Sequence, residues 1–218
     1  MEITEKHVEE FVAAAREVGR RGLTRCSSGN LSWRIGDLAL VSATGAWLPE
    51  LKPEDIAVCR MEDGVPVNGV QPSMESVFHL SVLRNRPEIR VVLHCQSIYA
   101  TTVACMKHKP DNFHVTAEIA LHCGDEIAFV PYLRPGSPAL ARAVEEALQH
   151  HESVLMENHG QVYAGKDFRE VIQRAEFLEM VCQIMILSGM NFNTIAPAAL
   201  QEWKDFIRYH RKPEQDEA

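Results

Sequence analysis

The sequence predicts a single α/β domain in which a mixed or antiparallel sheet is covered by helices. Short apolar runs bounded by turn residues indicate strands, and longer segments with apolar residues three or four positions apart indicate helices. Both kinds of segment occur along one continuous chain, since no repeat, linker or low-complexity stretch divides residues 1–218. A chain of this length with 46% hydrophobic residues can bury one full core, so we expect one domain.

The first third of the chain is predicted to hold one helix and two hairpins. Apolar residues at helical spacing indicate a helix over about residues 5–21, with Thr4 as its N-cap and Gly22 at its end. Two pairs of turn-linked antiparallel strands are expected after it: 31–35 with 38–42, and 56–60 with 65–68.

The rest of the chain is predicted to alternate helices with strands. Ser73 is the expected cap of a helix that ends before Pro87. The elements expected after it are a strand at 91–95, a helix at about 97–106, a strand at 127–131, a helix at 138–150, a strand at 153–156, a long helix at 168–188, and a last helix from Pro197 into the charged tail 212–218.

Composition excludes several classes of protein. A net charge of −8 and 7% aromatic residues do not fit nucleic-acid binding, which needs a positive surface and stacking side chains. The N-terminal region lacks the basic and then apolar order of a signal peptide, and no run approaches the roughly 18 apolar residues of a membrane span. We therefore expect a cytoplasmic protein with no membrane partner. The six cysteines occur singly within apolar stretches, which is typical of reduced, buried thiols.

Small and polar residues meet at several predicted element boundaries, where binding sites are usually built. Gly29 and Gly45 allow a ligand to approach the backbone, and Asn30, Thr44 and Ser73 supply hydrogen-bond donors. The helix start after Ser73 would add free N–H groups, so together these residues suit one phosphate. Taken singly, each has an ordinary structural role as a helix cap or turn residue.

Glu75, His94, Gln96 and His159 form a second group, suited to binding a metal ion. His94 and Gln96 are two positions apart at a strand end and therefore face the same side of the sheet. His159 follows another predicted strand in the same manner, which brings both imidazoles to the rim of the sheet. Two imidazoles with a carboxylate suit a catalytic zinc or a similar divalent ion. The alternative is a pair of rim histidines satisfied by hydrogen bonds.

These stretches, in this order, resemble the class II aldolase and adducin-head family over about residues 8–190. The matching motifs are Gly29-Asn30-Leu31-Ser32, Thr44-Gly45, Pro72-Ser73 with Glu75 and His79, His94 as the start of a His-x-His motif, and Asn158-His159-Gly160. The resemblance implies a three-layer α/β/α sandwich around a largely antiparallel sheet. It also implies a homotetramer with active sites at subunit interfaces.

The resemblance assigns roles residue by residue. The metal ligands would be His94, His159, Glu75 and Gln96, with Glu75 also the acid or base, and Tyr209 resembles a catalytic tyrosine near the family's C-terminus. The phosphate site would be formed by Gly29, Asn30, Thr44, Gly45 and Ser73. Zinc is the expected metal. Manganese or cobalt are alternatives because Gln96 stands where the family has a second histidine, and an amide oxygen is a harder and weaker ligand than an imidazole. Met74 stands where the family has a second serine, which removes one phosphate donor.

The function implied by the resemblance is that of a metal-dependent aldehyde-lyase. It would cleave a ketose 1-phosphate, such as L-fuculose 1-phosphate, into dihydroxyacetone phosphate and an aldehyde. Two alternatives keep the same site: 4-epimerisation of a pentulose phosphate and dehydration of a methylthio-pentulose phosphate. A third, favoured by Gln96, is a non-catalytic interaction domain of the adducin-head type.

Overall fold

The computed structural model describes residues 2–210, which contain seven strands and seven α-helices. The helices are α1 (Glu5–Arg20), α2 (Ser76–Asn85), α3 (Ile98–Cys105), α4 (Ala117–His122), α5 (Pro138–Leu148), α6 (Phe168–Leu187) and α7 (Pro197–His210). The strands are β1 (Asn30–Ile35), β2 (Leu38–Ser42), β3 (Ile56–Arg60), β4 (Val91–Cys95), β5 (Ala128–Val130), β6 (Ser153–Met156) and β7 (Gly160–Gly165). The charged tail expected at 212–218 lies outside the described residues.

All seven strands form one sheet in the order β3-β2-β1-β4-β7-β6-β5. Neighbouring strands are antiparallel except for β5 and β6, which are parallel. The sheet is therefore mixed but largely antiparallel, as the resemblance implies.

Helices cover both faces of the sheet and give it two hydrophobic cores. Residues of α1, α3, α4 and α6 pack with Leu31 and Leu93 on one face. Residues of α2 and α5 pack with Val92 and Val162 on the other face. Alternate residues of a strand point to opposite faces, which explains why Val92 and Leu93 enter different cores. The predicted three-layer α/β/α arrangement is confirmed.

The first helix begins and buries its apolar face as its sequence predicts. The Thr4 hydroxyl accepts a hydrogen bond from the main-chain N–H of His7 and so caps α1. Phe11, Ala15 and Val18, spaced three or four positions apart, are completely buried in the first core. Burying an aromatic or large aliphatic side chain in this way contributes about 1.5–3 kcal/mol. The packed face, more than the cap, therefore holds α1 on the sheet.

The sequence pattern does not indicate two of the elements, α4 and β7. All six residues of β7 are buried, so this strand lacks the alternation of polar and apolar residues that identifies a half-buried strand. It pairs with β4 on one side and β6 on the other. The α4 helix has only six residues, too few for a helical period to be recognised.

The predicted strand at 65–68 is wrong. This segment runs beside β3 but forms only one isolated bridge, between Cys59 and Pro66. Pro66 has no N–H to donate to a ladder. In addition, the side chain of Asn68, rather than its backbone, accepts the N–H of Val58. The segment is therefore an irregular return beside the sheet.

Ser73 does not cap a helix directly, which corrects a second expectation. The α2 helix begins at Ser76, and the Ser73 hydroxyl accepts the N–H of Glu75 in the turn before it. The carbonyl oxygen of Ser73 accepts the N–H of Ser76. Both N–H groups are already hydrogen-bonded within the turn. They are therefore not free to bind an anion, although the sequence predicts that they are.

Two further expectations concern the cysteines and the membrane. All six cysteines are free thiols, but Cys26 and Cys105 are exposed, whereas the other four are buried as expected. Within residues 2–210, no helix has the length and apolar character that crossing a membrane requires.

Candidate functional site

Nine of the predicted site residues line one cleft with a volume of about 320 Å³. They are Gly29, Asn30, Thr44, Gly45, Ser73, Glu75, His94, Gln96 and His159. The cleft lies where β1 begins, β4 ends and the chain turns from β6 into β7. The loop after β2 and the segment before α2 complete it. Distant stretches of sequence therefore meet at one end of the strands.

The register of the sheet explains why polar side chains point into this cleft. Asn30 of β1 lies opposite His94 of β4. Asn30 and Ser32 are two positions apart on β1 and face the same side, toward α2, whereas Leu31 between them enters the opposite core. The turn before α2 brings Glu75 onto this face, where Asn30 bonds to it.

Glu75, His94 and His159 lie close together and can act as ligands to one metal ion, and we call these three residues the metal group. One ligand atom from each lies within 4.8 Å of the other two. The Glu75 carboxylate bridges the imidazoles: Oε2 is 3.4 Å from Nε2 of His94, and Oε1 is 3.4 Å from Nε2 of His159. The two ring centroids are 4.8 Å apart. All three side chains can therefore reach a single ion.

The surroundings of these side chains also suit a divalent cation. Nδ1 of His94 lies 2.8 Å from the carbonyl oxygen of Gln161, which can only accept, so Nδ1 donates this bond and Nε2 is the nitrogen left to bind a metal ion. Burial lowers the pKa of His159 to about 4, so its ring is neutral near neutral pH. Oε1 of Glu75 is buried, and no hydrogen bond from residues 2–210 reaches it. A buried carboxylate oxygen without a donor, beside two imidazole nitrogens, fits a divalent metal ion.

Behind Glu75 lies a line of buried polar side chains. Nδ2 of Asn30 donates to Oε2 of Glu75 over 3.0 Å. Oδ1 of Asn30 is 2.5 Å from Nε2 of His79, and Nδ1 of His79 is 2.8 Å from the hydroxyl oxygen of Ser32. Complete burial lowers the pKa of His79 to about 3, so its ring is neutral. The four side chains form one connected network within the protein interior.

Gln96 lies on the same wall of the cleft as His94 and contacts the turn that carries His159. A Cβ added to Gly160 would lie 2.7 Å from Cγ of Gln96 and 2.5 Å from the carbonyl oxygen of Cys95. Glycine is therefore required for the start of β7 to approach the end of β4 this closely. Binding of a metal ion by the Gln96 amide oxygen stays a prediction.

The turn between β6 and β7 presents His159 to the cleft. Asn158 has a φ of +52°, in the left-handed region that asparagine tolerates better than most residues other than glycine. The N–H of His159 donates to the carbonyl oxygen of Met156 and closes the turn. The sequence Asn158-His159-Gly160 thus combines a residue that can turn, a ligand and a residue small enough to fit.

Two loops that contain glycine line the cleft beside the metal ligands. Gly29 has a φ of +118°, and a Cβ there would lie 2.8 Å from the carbonyl oxygen of His94. Gly45 has a φ of +74°, in a loop tied to the segment before α2 by a hydrogen bond from the Thr44 N–H to the carbonyl oxygen of Gln71. Both backbones are exposed to a ligand in the cleft, and binding of a phosphate by these loops stays a prediction.

The cleft has little positive charge of its own. Among residues 2–210, those that line it include no lysine or arginine. An anionic ligand would therefore depend on neutral hydrogen-bond donors and on a bound cation. Met74, at the position where a serine would supply a further donor, lines the cleft and is 69% exposed.

Tyr209 is the one predicted site residue that the structure does not bring to the cleft. It lies near the C-terminal end of α7 and is 86% exposed. Its phenol is accessible to a second chain, and a catalytic role there stays a prediction.

Other residues of the site are not assigned a role from sequence. Ser27 and Pro135 line the cleft, and no sequence signal distinguishes them. Ser32 and His79 belong to the matching motifs but have no function assigned to them by the resemblance. The signal that could have identified them is their spacing from site residues. Ser32 is two positions from Asn30 on a strand, and His79 is four positions from Glu75 at the start of a helix, and such spacings place side chains on one face.

Comparison with known proteins identifies relatives over most of the chain. Residues 9–186 match the family described as Class II Aldolase and Adducin N-terminal domain. The 3-oxo-tetronate 4-phosphate decarboxylase of Haemophilus influenzae is 32% identical over 199 residues, which cover 89% of this chain and 94% of the relative. The L-fuculose phosphate aldolase of Methanococcus maripaludis is 33% identical over 175 residues, which cover 80% of this chain and 93% of the relative.

A solved structure shares the fold. YgbL of Escherichia coli, described as a putative aldolase/epimerase/decarboxylase, superposes with a TM-score of 0.84 at 28% sequence identity. The match covers 90% of this chain and 97% of that chain, so the two share their architecture over nearly their whole length.

Proposed function

The chain belongs to the class II aldolase and adducin N-terminal domain family, and from that premise we propose that it is a metal-dependent carbon–carbon lyase acting on a small sugar phosphate. The reaction proposed first is decarboxylation of a 3-oxo acid phosphate, such as 3-oxo-tetronate 4-phosphate, to dihydroxyacetone phosphate and CO₂. The observation that carries this choice concerns Glu75. Among residues 2–210, it is the one carboxylic acid that lines the cleft.

The substrates named for the two relatives share the fragment that reacts. A 3-oxo-tetronate 4-phosphate and a ketose 1-phosphate both contain a phosphorylated CH₂ group, a ketone and a CHOH carbon in sequence. The bond that breaks joins this CHOH carbon to the departing group. CO₂ departs without loss of a proton, whereas an aldehyde departs only after a base has removed the proton of its hydroxyl. One acid–base group is therefore sufficient for decarboxylation, and aldol cleavage needs two.

In the proposed mechanism His94 and His159 bind the metal ion, and Glu75 both binds it and transfers a proton. When bound, a divalent cation would act as a Lewis acid and stabilise the negative charge that develops on the ketone oxygen. His94, His159 and Glu75 would hold it, and the bond from Asn30 would keep the Glu75 carboxylate in its orientation. Glu75, once protonated, would deliver its proton to the carbon that CO₂ has left and regain a proton from solvent.

The phosphate end of the substrate is proposed to lie against the loops that contain Gly29 and Gly45. The Thr44 and Ser73 hydroxyls and a side-chain N–H of Asn30 line the same cleft and would donate to phosphate oxygens. Binding energy from this end would orient the carbon–carbon bond toward Glu75.

A second candidate is the aldol cleavage of a ketose 1-phosphate such as L-fuculose 1-phosphate, and the exposure of Tyr209 favours it. In a homotetramer with sites at subunit interfaces, Tyr209 of a neighbouring subunit would supply the second acid–base group. In either reaction zinc is the metal proposed for this cytoplasmic enzyme. Manganese and cobalt are the alternatives, because Gln96 replaces an imidazole.

The test supplies both substrates to protein loaded with zinc, manganese or cobalt and measures CO₂, dihydroxyacetone phosphate and aldehyde. CO₂ formed in equal amount with dihydroxyacetone phosphate, and lost in Glu75→Gln, supports decarboxylation, whereas aldehyde from L-fuculose 1-phosphate supports the second candidate. The control is His150→Ala, an exposed histidine outside the cleft, which should keep full activity. The lyase proposal is rejected if metal-loaded protein turns over neither compound, and an epimer or a dehydrated product would identify one of the other family reactions.

A further inference from the structure

The hydrogen bonds behind Glu75 can run in only one direction. The NH₂ group of the Asn30 amide donates to Oε2 of Glu75 over 3.0 Å. Oδ1 of Asn30 therefore faces His79, and as a carbonyl oxygen it can also only accept. Nε2 of His79 must then carry the proton in the 2.5 Å contact.

The hydrogen bond between Ser32 and His79 runs in the same direction, toward Glu75. An imidazole with its single proton on Nε2 has a lone pair on Nδ1, and the Ser32 hydroxyl lies 2.8 Å from that atom. Ser32 therefore donates to His79, His79 donates to Asn30, and Asn30 donates to Glu75. Ser32 and His79 are 0% exposed and Asn30 is 6% exposed, so solvent does not compete for these bonds.

We propose that His79, oriented by Ser32, is a positioning residue that locks the Asn30 amide with its N–H toward the Glu75 carboxylate. This inference rests on the proposed function, because Glu75 is the group that is positioned. Without a donor at position 79, Oδ1 of Asn30 loses its partner, and only the bond to Glu75 holds the amide. The amide would then be free to tilt, and the Glu75 carboxylate would be held less firmly toward the imidazoles of the metal group.

The location of His79 separates this role from a direct one. His79 follows Glu75 by one helical turn, and its two ring nitrogens contact Asn30 and Ser32. Both nitrogens are therefore used within the network, so an effect of His79 on the site passes through Asn30. The hydrogen-bond network uses Oδ1 and one N–H of Asn30, so the second N–H of Asn30 is available to a ligand in the cleft.

A double-mutant cycle tests the inference through metal affinity, measured without substrate. The affinity of the full-length protein for Mn²⁺ is compared among wild type, His79→Phe, Asn30→Ala and the double variant. We expect His79→Phe to weaken binding about 10–100-fold, the range typical of residues that orient metal ligands. In the Asn30→Ala background the same change should alter the affinity by less than about twofold. The proposal would be overturned if the losses of Mn²⁺ affinity in His79→Phe and Asn30→Ala multiply in the double variant. An unchanged affinity in His79→Phe would also overturn it.

Two conservative variants and one matched control complete the test. His79→Gln keeps an N–H donor near the position of Nε2 and should recover most of the affinity, whereas Ser32→Ala should lower it about threefold, toward the low end for an outer hydrogen bond. Ser153→Ala removes an equally buried serine at the start of β6, at the end of that strand away from His159, and should change nothing.

The absorption spectrum of bound Co²⁺ gives an independent readout of ligand geometry. It should change in His79→Phe and return toward the wild-type spectrum in His79→Gln. A wild-type spectrum in His79→Phe would contradict the positioning role. Because these measurements need no turnover, failure of the inference is distinguishable from failure of the lyase proposal.

Discussion

Gly160, the first residue of β7, lies directly against Gln96, the residue that follows β4. A Cβ on Gly160 would come within 2.7 Å of Cγ of Gln96 and within 3.1 Å of Cε1 of His94. Real Cβ atoms essentially never come within 3.0 Å of another heavy atom, so a side chain at position 160 would force Gln96 to shift. The two chain segments that carry the imidazoles of the metal group are therefore in contact at a position where no side chain fits.

Replacing Gly160 by alanine should damage stability and the metal group together. We expect Gly160→Ala to lower the free energy of unfolding by about 1–3 kcal/mol, because the added methyl overpacks a buried contact with backbone. Urea unfolding and metal content measure the two effects. Gly189→Ala is the control: its φ is +64° and a Cβ there meets nothing within 4 Å, so it should cost about 1–2 kcal/mol of backbone strain without loss of metal. Wild-type metal content in Gly160→Ala would show that the contact does not shape the site.

Loss of the imidazole of either His94 or His159 should prevent the protein from retaining a metal ion at this site. His94→Ala and His159→Ala should each reduce bound zinc from about one ion per chain to near zero after dialysis, because two remaining ligands do not hold a structurally defined ion. Elemental analysis of purified protein measures the content. His150→Ala serves as the histidine control. An ion retained at full occupancy in His94→Ala would mean that the metal lies elsewhere.

A change at position 96 should alter the choice of metal. Gln96→His restores a third imidazole, so its affinity for zinc should rise about tenfold relative to its affinity for manganese. Competition with a chromophoric chelator gives both affinities. Gln96→Ala separates ligation from packing, since it should weaken manganese binding if the amide oxygen is a ligand. If zinc affinity stays the same in Gln96→His, residue 96 does not face the ion.

Tyr209 should distinguish the two candidate reactions. Removing its hydroxyl in Tyr209→Phe should slow aldol cleavage about 10²–10⁴-fold, the usual contribution of an acid–base group, and leave decarboxylation nearly unchanged. Steady-state rates with both substrates measure this difference. Full aldol cleavage in Tyr209→Phe would exclude a catalytic role.

Mixing two inactive variants tests whether Tyr209 acts across a subunit interface of the proposed homotetramer. Combining Glu75→Gln chains with Tyr209→Phe chains should restore part of the aldol cleavage, because some sites then receive Glu75 from one chain and Tyr209 from another. Mixtures that stay as inactive as the separate variants would place both groups on the same chain.

The fold could be predicted best where the residues that define an element lie next to one another in the sequence. The α1 helix has its cap at Thr4 and its buried face within one continuous segment, and both expectations are confirmed. The β7 strand is missed because burial on both faces removes the alternation that marks a strand. The segment at 65–68 has strand-like residues, but Pro66 cannot take part in a ladder.

The sequence by itself determined which chemical groups the cleft holds and which face of its element each occupies. Side-chain direction repeats every two residues on a strand and about every 3.6 on a helix, so Asn30 and Ser32, or Glu75 and His79, share a face wherever their elements lie. Only the tertiary structure decided how these faces meet. The bonds from Asn30 to Glu75 and to His79 join residues 45 and 49 positions apart, so they form only because α2 packs on the sheet. Tertiary structure also leaves Oε1 of Glu75 without a hydrogen-bond donor among residues 2–210, and it leaves Tyr209 exposed on α7, outside the cleft.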